Sequence, residues 1–207
     1  MSLQQLQVGP IAATEGSNPT MRGSRDACGV VQHGHAKFQE AVYRGNCYAV
    51  ADQTAKTMPA GLSTAPTTVT LFNPKGNNKL AVIWFGGVVT LVATTAAATI
   101  WVAANNNIAA AAVTGTAGVP ANCLIGNANA PSILTFTAAT LPVAPVAIDV
   151  LGAFLTGAIT VDTHVQALGK WYEGALIIAP GGALSFQSST ASAAGAFGSW
   201  IWEEIPV

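Results

Sequence analysis

Charge is what this chain has least of. Only 8% of its 207 residues are Asp, Glu, Lys or Arg, whereas a soluble domain normally carries roughly 25–35% charged side chains on its surface. From Leu80 to Ile148, 69 consecutive residues contain no Asp, Glu, Lys, Arg or His. A surface made from that run cannot rely on charge to stay apart from other molecules, so it must be covered inside the fold or in an assembly. The formal net charge of −1 also removes the counterion-release effect that drives non-specific nucleic-acid binding. The few charges are unevenly placed. Residues 1–79 hold seven Lys/Arg against four Asp/Glu, and residues 80–207 hold one against five.

Cysteine is scarce as well. Cys28, Cys47 and Cys123 are odd in number and have no paired spacing, which argues against a disulfide framework and suits buried thiols in a protein made in a reducing cytoplasm. The opening Met1 to Pro10 has neither a basic start nor an apolar core, so no secretory leader is expected. Catalytic and nucleotide-binding signatures are missing too. There is no G-x-S-x-G elbow, no phosphate loop of the G-x-x-x-x-G-K-[ST] kind and no C-x-x-C pair. Neither an enzyme nor a cofactor is expected.

The charge-free run is not a block of hydrocarbon. Nine Thr, six Asn, four Pro and five Gly are scattered through it, a mixture that suits strands with hydroxyl and amide outer faces. Leu80 to Ala104 is long enough to span a membrane. It contains Gly86-Gly87 and four Thr, however, and ends at Asn105-Asn106-Asn107, so it reads as a pair of buried strands and no membrane partner is expected.

Residues 1–40 show no sustained period of 2 or 3.6 and read as an extended N-terminal arm. Residues 41–207 read as one β domain. Ala41 to Tyr43 and Cys47 to Val50 flank a tight turn at Arg44-Gly45-Asn46. Thr68 to Leu71 and Leu80 to Phe85 flank a turn at Asn73 to Asn78 and read as a hairpin. Ala175 to Ala179, Pro180-Gly181-Gly182 and Ala183 to Gln187 read as a second hairpin. Further strands are expected at Val88 to Val92, Ala98 to Val102, Ser132 to Thr137, Ile159 to Val165 and Ser199 to Ile205, with a short helix at Ile108 to Val113. Leu141 to Pro145 must be irregular or at an edge, because proline cannot donate to a ladder. Eight to ten short strands separated by turns indicate an all-β, antiparallel β-sandwich or jelly roll.

The candidate sites are few. His33-Gly34-His35, with Cys28 upstream, is the nearest approach to a metal signature, but a metal needs three or four converging ligands, and solvated arm histidines are the plainer reading. His164 and Asp162 share a strand face without a nucleophile placed to use them. Glu203 and Glu204 are adjacent, so in a strand they point to opposite faces and cannot act as a paired acid and base; either could meet a cation on a neighbouring subunit. The glycine pairs Gly86-Gly87 and Gly181-Gly182 read as bulges or turns. Trp84, Trp101, Trp171, Trp200 and Trp202 could form a sugar-stacking platform. Their apolar surroundings favour core or interface packing instead, above all for Trp84, Trp101, Trp200 and Trp202.

The Asn73-Pro74-Lys75-Gly76 turn, the Ala/Thr-rich middle strands, the Pro180-Gly181-Gly182 turn and the closing Trp200 to Pro206 segment resemble small structural proteins of tailed-bacteriophage virions. They are similar in particular to jelly-roll cement or decoration proteins, which sit as trimers on the capsid surface. The resemblance implies a non-enzymatic virion protein that binds and stabilises a capsid lattice. Its partners would be the major capsid protein and itself, as a homotrimer, with no nucleic acid. It would be made in the host cytoplasm and end on the capsid surface. The arm, with Arg22, Arg25, Lys37 and Arg44, would then supply part of the capsid contact. The alternatives are a coat subunit that assembles into the shell itself and a glycan-binding β-sandwich of a phage fibre.

Overall fold

A computed structural model describes residues 38–90, 98–106, 113–154, 166–191 and 195–207. Residues Ala41–Val207 make one compact unit. After a single helical turn, α1 (Gln39–Tyr43), come β1 (Cys47–Ala51), β2 (Thr70–Phe72), β3 (Lys79–Thr90), β4 (Ala98–Asn105), β5 (Thr114–Ala117), β6 (Ala121–Asn122), β7 (Leu134–Thr140), β8 (Val146–Phe154), β9 (Gln166–Ile178), β10 (Ala183–Ser188) and β11 (Ala196–Pro206). They form two antiparallel sheets, ordered β6-β1-β11-β3-β9 and β5-β7-β2-β10-β4-β8. The protein is a β-sandwich, as its alternating patterns predict.

Eight of the strands follow one pairing rule. In the series β1, β2, β3, β4, β8, β9, β10, β11, the first pairs with the last, the second with the seventh, the third with the sixth and the fourth with the fifth. β11·β3 and β10·β4 then join these pairs into sheets. Strands β5, β6 and β7 belong to the connection between β4 and β8, and they extend both sheets on one flank. On the other flank, among the described residues, the sheets end at β8 and β9.

The core lies between the sheets. From one side come Val50, Ile83, Trp200 and Trp202, and from the other Leu71, Val102, Leu184 and Phe186. The Phe186 and Trp200 rings stack across the interior at 4.1 Å. Along β11 every second residue is buried, and this period-2 alternation places Trp200, Trp202 and Glu204 on the inner face. Truncating either tryptophan to Ala would cost about 3–5 kcal/mol. Gly86 makes room for Trp200, because a Cβ there would overlap the indole.

Several local expectations change. Ala41 to Tyr43, on one side of the expected turn, is the end of α1. Gly45, at φ +71°, caps it: its N–H donates to Val42 O at 2.9 Å, and the Asn46 N–H donates to Ala41 O at 3.4 Å, the paired bonds of a left-handed helix stop. Val88 begins no new strand, since β3 runs straight through Gly86-Gly87 and the pairing irregularity falls beside Trp84 instead. The expected hairpins at 68–85 and 175–187 are also not hairpins. In each, the two strands belong to opposite sheets, so each turn is a corner from one sheet to the other. The expected helix at 108–113 falls almost wholly, and the strand at 159–165 wholly, outside the described residues.

The two corners are stitched together by Asn73, which is fully buried. Its main-chain N–H donates to Gly182 O at 2.9 Å and its carbonyl accepts from Gly181 N at 2.7 Å. Its Nδ2 donates to Lys79 O at 2.8 Å and to Ile178 O at 2.9 Å. The sequence-local turn chemistry is real, but the bonds that complete it run between distant turns.

Candidate functional site

Strands Lys79–Thr90 and Ala98–Asn105 occupy most of the stretch from Leu80 to Ala104. Among the described residues no helix is long and apolar enough to cross a membrane. Nor does any group of three or more His, Cys, Asp or Glu among them hold metal-binding geometry. Cys28, the His33-Gly34-His35 segment, Asp162 and His164 lie outside the described residues, as do Arg22, Arg25 and Lys37 of the arm. Cys47 is buried and Cys123 half-buried, both as free thiols, and burial pushes both thiols up from their ordinary pKa.

The remaining residues singled out by sequence separate into inside and outside. Trp84, Trp200 and Trp202 are buried. Trp101 is half-buried on β4 and pairs with Val150 on β8. Trp171 is exposed on β9, its ring 5.1 Å from Phe85. The five tryptophans therefore share no common platform. Arg44 is exposed just after α1. Its charge lowers the pKa of the Glu203 carboxyl, although burial of Glu203 outweighs it and raises the value.

Glu204 does not reach toward a neighbouring subunit. It is buried and bonds to Lys79 Nζ at 3.0 Å, and it accepts the Ser132 and Ile133 N–H groups at 2.7 and 2.9 Å. A buried carboxylate with one cation and two amide donors is fully engaged and acts as an internal tie. Asp52 is a second interior tie. Its Oδ2 accepts from Val69 N at 3.1 Å and Gly198 N at 2.8 Å, joining the end of β1 to both sheets. Burial raises its pKa against the pull of those amides and of Lys56.

The flank formed by β8 and β9 gathers what sequence reasoning missed. Asp149 on β8 accepts Lys170 Nζ at 2.9 Å and the Tyr172 hydroxyl at 2.8 Å, both from β9. Burial alone would raise the Asp149 pKa, but the Lys170 and Tyr172 hydrogen bonds, the Lys170 charge and the Val150 N–H outweigh it and hold it below the usual range. Burial and the adjacent carboxylate push the Tyr172 phenol up. At neutral pH the carboxylate is thus a weakened base and the phenol a weakened acid, so the cluster works as a clasp between the sheets. Beside the clasp, a groove of about 420 Å³ opens between the sheets. Ile148 and Ile177 stand at it, and it reaches Leu176, Ile178 and Leu184, which pack in the core.

The outer face of the five-stranded sheet is similarly poor in charge. A single row of paired residues crosses all five strands, Trp171–Phe85–Ile201–Ala49–Ala121. It holds no charged side chain, and Glu203 is the charge of the neighbouring row through Val82 and Ile177. The charge-free stretch of sequence thus supplies β3, β4, β5, β6, β7 and the start of β8. Compared with protein-family models, curated proteins and solved structures, the chain matches none.

Proposed function

We propose that this chain is a non-enzymatic structural subunit of a viral particle, which binds a bacteriophage capsid lattice as a cement or decoration protein and strengthens it. The observation that carries the reading is the nested pairing of eight strands, first with last through fourth with fifth. We read that order as one long hairpin wrapped into two Greek keys, the arrangement of the jelly rolls used by viral capsid domains and lectins. Within that group, what favours a particle subunit is the surface. An uncharged row across a whole sheet and an apolar flank suit a molecule that meets neighbours on several sides, because they pack without desolvating ions. Three of the five tryptophans serve the interior, which leaves little aromatic surface for a lectin.

In this reading the protein self-associates, as a homotrimer by its resemblance, and docks on the major capsid protein, with the arm and Arg44 contributing to that contact. The test is co-sedimentation with shells of the virus that carries this gene, followed by the temperature at which those shells rupture. Saturable binding with a raised rupture temperature is expected. Absence of binding would overturn the proposal, and closed shells formed by the chain alone would replace it with a coat-subunit function.

A further inference from the structure

Cys47 and Cys123 are far apart along the chain, but the fold sets them face to face. β6 pairs with β1 through Tyr48 with Asn122 and Ala49 with Ala121. The next position of that antiparallel register brings Cys47 opposite Cys123, and the Cys123 N–H donates to Cys47 O at 2.8 Å. Side chains alternate along a strand, so both thiols fall on the face opposite Tyr48, whose ring lies in the core. Glu203 flanks Cys47 on its other side, from β11. Burial first, then the Glu203 charge and then the Cys123 thiol push the Cys47 thiol up, which agrees with two sulfurs that are neighbours.

That placement is close to what a disulfide needs. Opposed residues of the hydrogen-bonded kind have Cα atoms ~5.5 Å apart, inside the range of ~4.4–6.8 Å that a disulfide spans. Their Cβ atoms stand ~4.5–5.5 Å apart and must close to about 3.8 Å, so one end has to move by roughly 1 Å. Cys123 is the end that can. Asn122 is held, its Nδ2 donating to Gly45 O at 2.7 Å, but Cys123 stands one residue beyond β6. The chain after it leaves the sheet in turns, where Leu124 N donates to Asn122 Oδ1 at 2.8 Å and Asn127 N to Leu124 O at 2.9 Å. Access divides the pair as well. Cys47 is fully buried and Cys123 half-buried, so a small oxidant meets Cys123 first.

We propose that Cys47 and Cys123 form a redox-closed staple, which a small disulfide oxidant such as oxidised glutathione converts from two thiols into one cross-strand bond. In the first step Cys123 gives its proton to solvent, its thiolate attacks one sulfur of oxidised glutathione, and one glutathione leaves as the thiolate. In the second, the Cys47 thiolate attacks the Cys123 sulfur of the mixed disulfide and displaces the other glutathione. The two cysteines lose two protons and two electrons, and oxidised glutathione is reduced to two thiols. Burial raises the pKa of both cysteines, which keeps the thiolate fraction small and closure slow at neutral pH. A glutathione pool kept reduced leaves the pair open, and an oxidising medium closes it. The bond then fixes β6, a strand of two residues, to β1. The staple is independent of the particle reading.

The test uses the full-length protein carrying Cys28→Ser, which leaves these two cysteines alone. The reduced, folded protein is incubated without air in millimolar oxidised glutathione at about pH 8.5, the ordinary thiol pKa, then unfolded and alkylated with iodoacetamide. Intact mass should show a product lighter by two hydrogens with no alkylated cysteine, and digestion should recover the Cys47 and Cys123 peptides joined. Because the bond closes a loop of about 75 residues, the thermal unfolding midpoint should rise by roughly 10 °C at fixed protein concentration. Adding Cys47→Ala should stop the reaction at the mixed disulfide on Cys123, with no such rise. Near-UV circular dichroism of the buried tryptophans reports whether each variant is folded; if Cys47→Ala does not fold, Cys123→Ser, at the half-buried position, takes its place and should keep the midpoint of the reduced protein after the same treatment. Two alkylated thiols after oxidation, a mixed disulfide that never passes to Cys47, a bond between two chains, or a linked protein no more stable than the reduced one would each overturn the proposal.

Discussion

Replacing Asn73 by alanine tests the claim that a buried amide holds the two sheet-to-sheet corners together. The main-chain bonds to Gly181 and Gly182 survive the substitution, but the Nδ2 bonds to Lys79 O at 2.8 Å and Ile178 O at 2.9 Å are lost, as is the bond from Asn77 Nδ2 to Oδ1 at 2.8 Å. A net ~1 kcal/mol for each of these three bonds gives about 3 kcal/mol. With a urea m-value of ~2 kcal/mol/M, the unfolding midpoint should fall by about 1.5 M. Protein concentration must be held fixed, because association adds to apparent stability. Asn73→Asp separates hydrogen bonding from space filling. It keeps the shape but aims a carboxylate at two carbonyls, so at neutral pH it should be less stable than Asn73→Ala, and it should recover below about pH 4 as it gains a proton. An alanine midpoint within ~0.3 M of wild type, or an aspartate variant more stable than alanine, would refute the stitched-corner account.

Glu204→Ala strands Lys79 and two buried amides. It should cost about 3 kcal/mol, the low end for a broken buried pair because Lys79 keeps part of its side chain in water, and Glu204→Gln should lose less by retaining an acceptor for both amides. Gly86→Ala drives a methyl into the Trp200 indole and should cost about 2–3 kcal/mol by overpacking, with a changed tryptophan emission spectrum as the second readout. Asp149 has a native pKa below its unfolded value, so its contribution is present above about pH 4 and is lost as pH falls through the native value. Asp149→Asn should therefore be less stable than wild type at pH 7, with the gap closing on acidification; a gap that is constant from pH 7 to about pH 2 would show that the clasp is not what holds the pKa down.

Much of the sandwich was legible because alternation is a local property. The two tryptophans of β11 share a face for the reason any residues two apart do, and that same period places Glu204 inside, a signal available in the Trp-x-Trp-Glu-Glu segment from the start. The choice between hairpin and corner was not legible. Asn73-Pro74-Lys75-Gly76 and Pro180-Gly181-Gly182 specify that the chain turns, but which sheet receives the next strand is decided by partners far away, such as Glu203 opposite Cys47 and Asn73 against Ile178. The Asp149–Lys170–Tyr172 clasp had no motif to reveal it, since its members come from strands that face each other across the sandwich edge. The shortage of charge was visible at once, and the fold gives it a location, in a row across one sheet and in the side chains beside the clasp.

The most direct test of the account is the salt dependence of assembly, followed by sedimentation velocity across protein concentration in low salt and in about 0.5 M salt, where exposed charge pairs are largely screened. If uncharged surface drives association, one discrete oligomer persists at both salt concentrations. A monomer throughout, or an oligomer that dissolves as salt is added, would contradict the claim that this charge-poor surface exists to be covered by copies of itself.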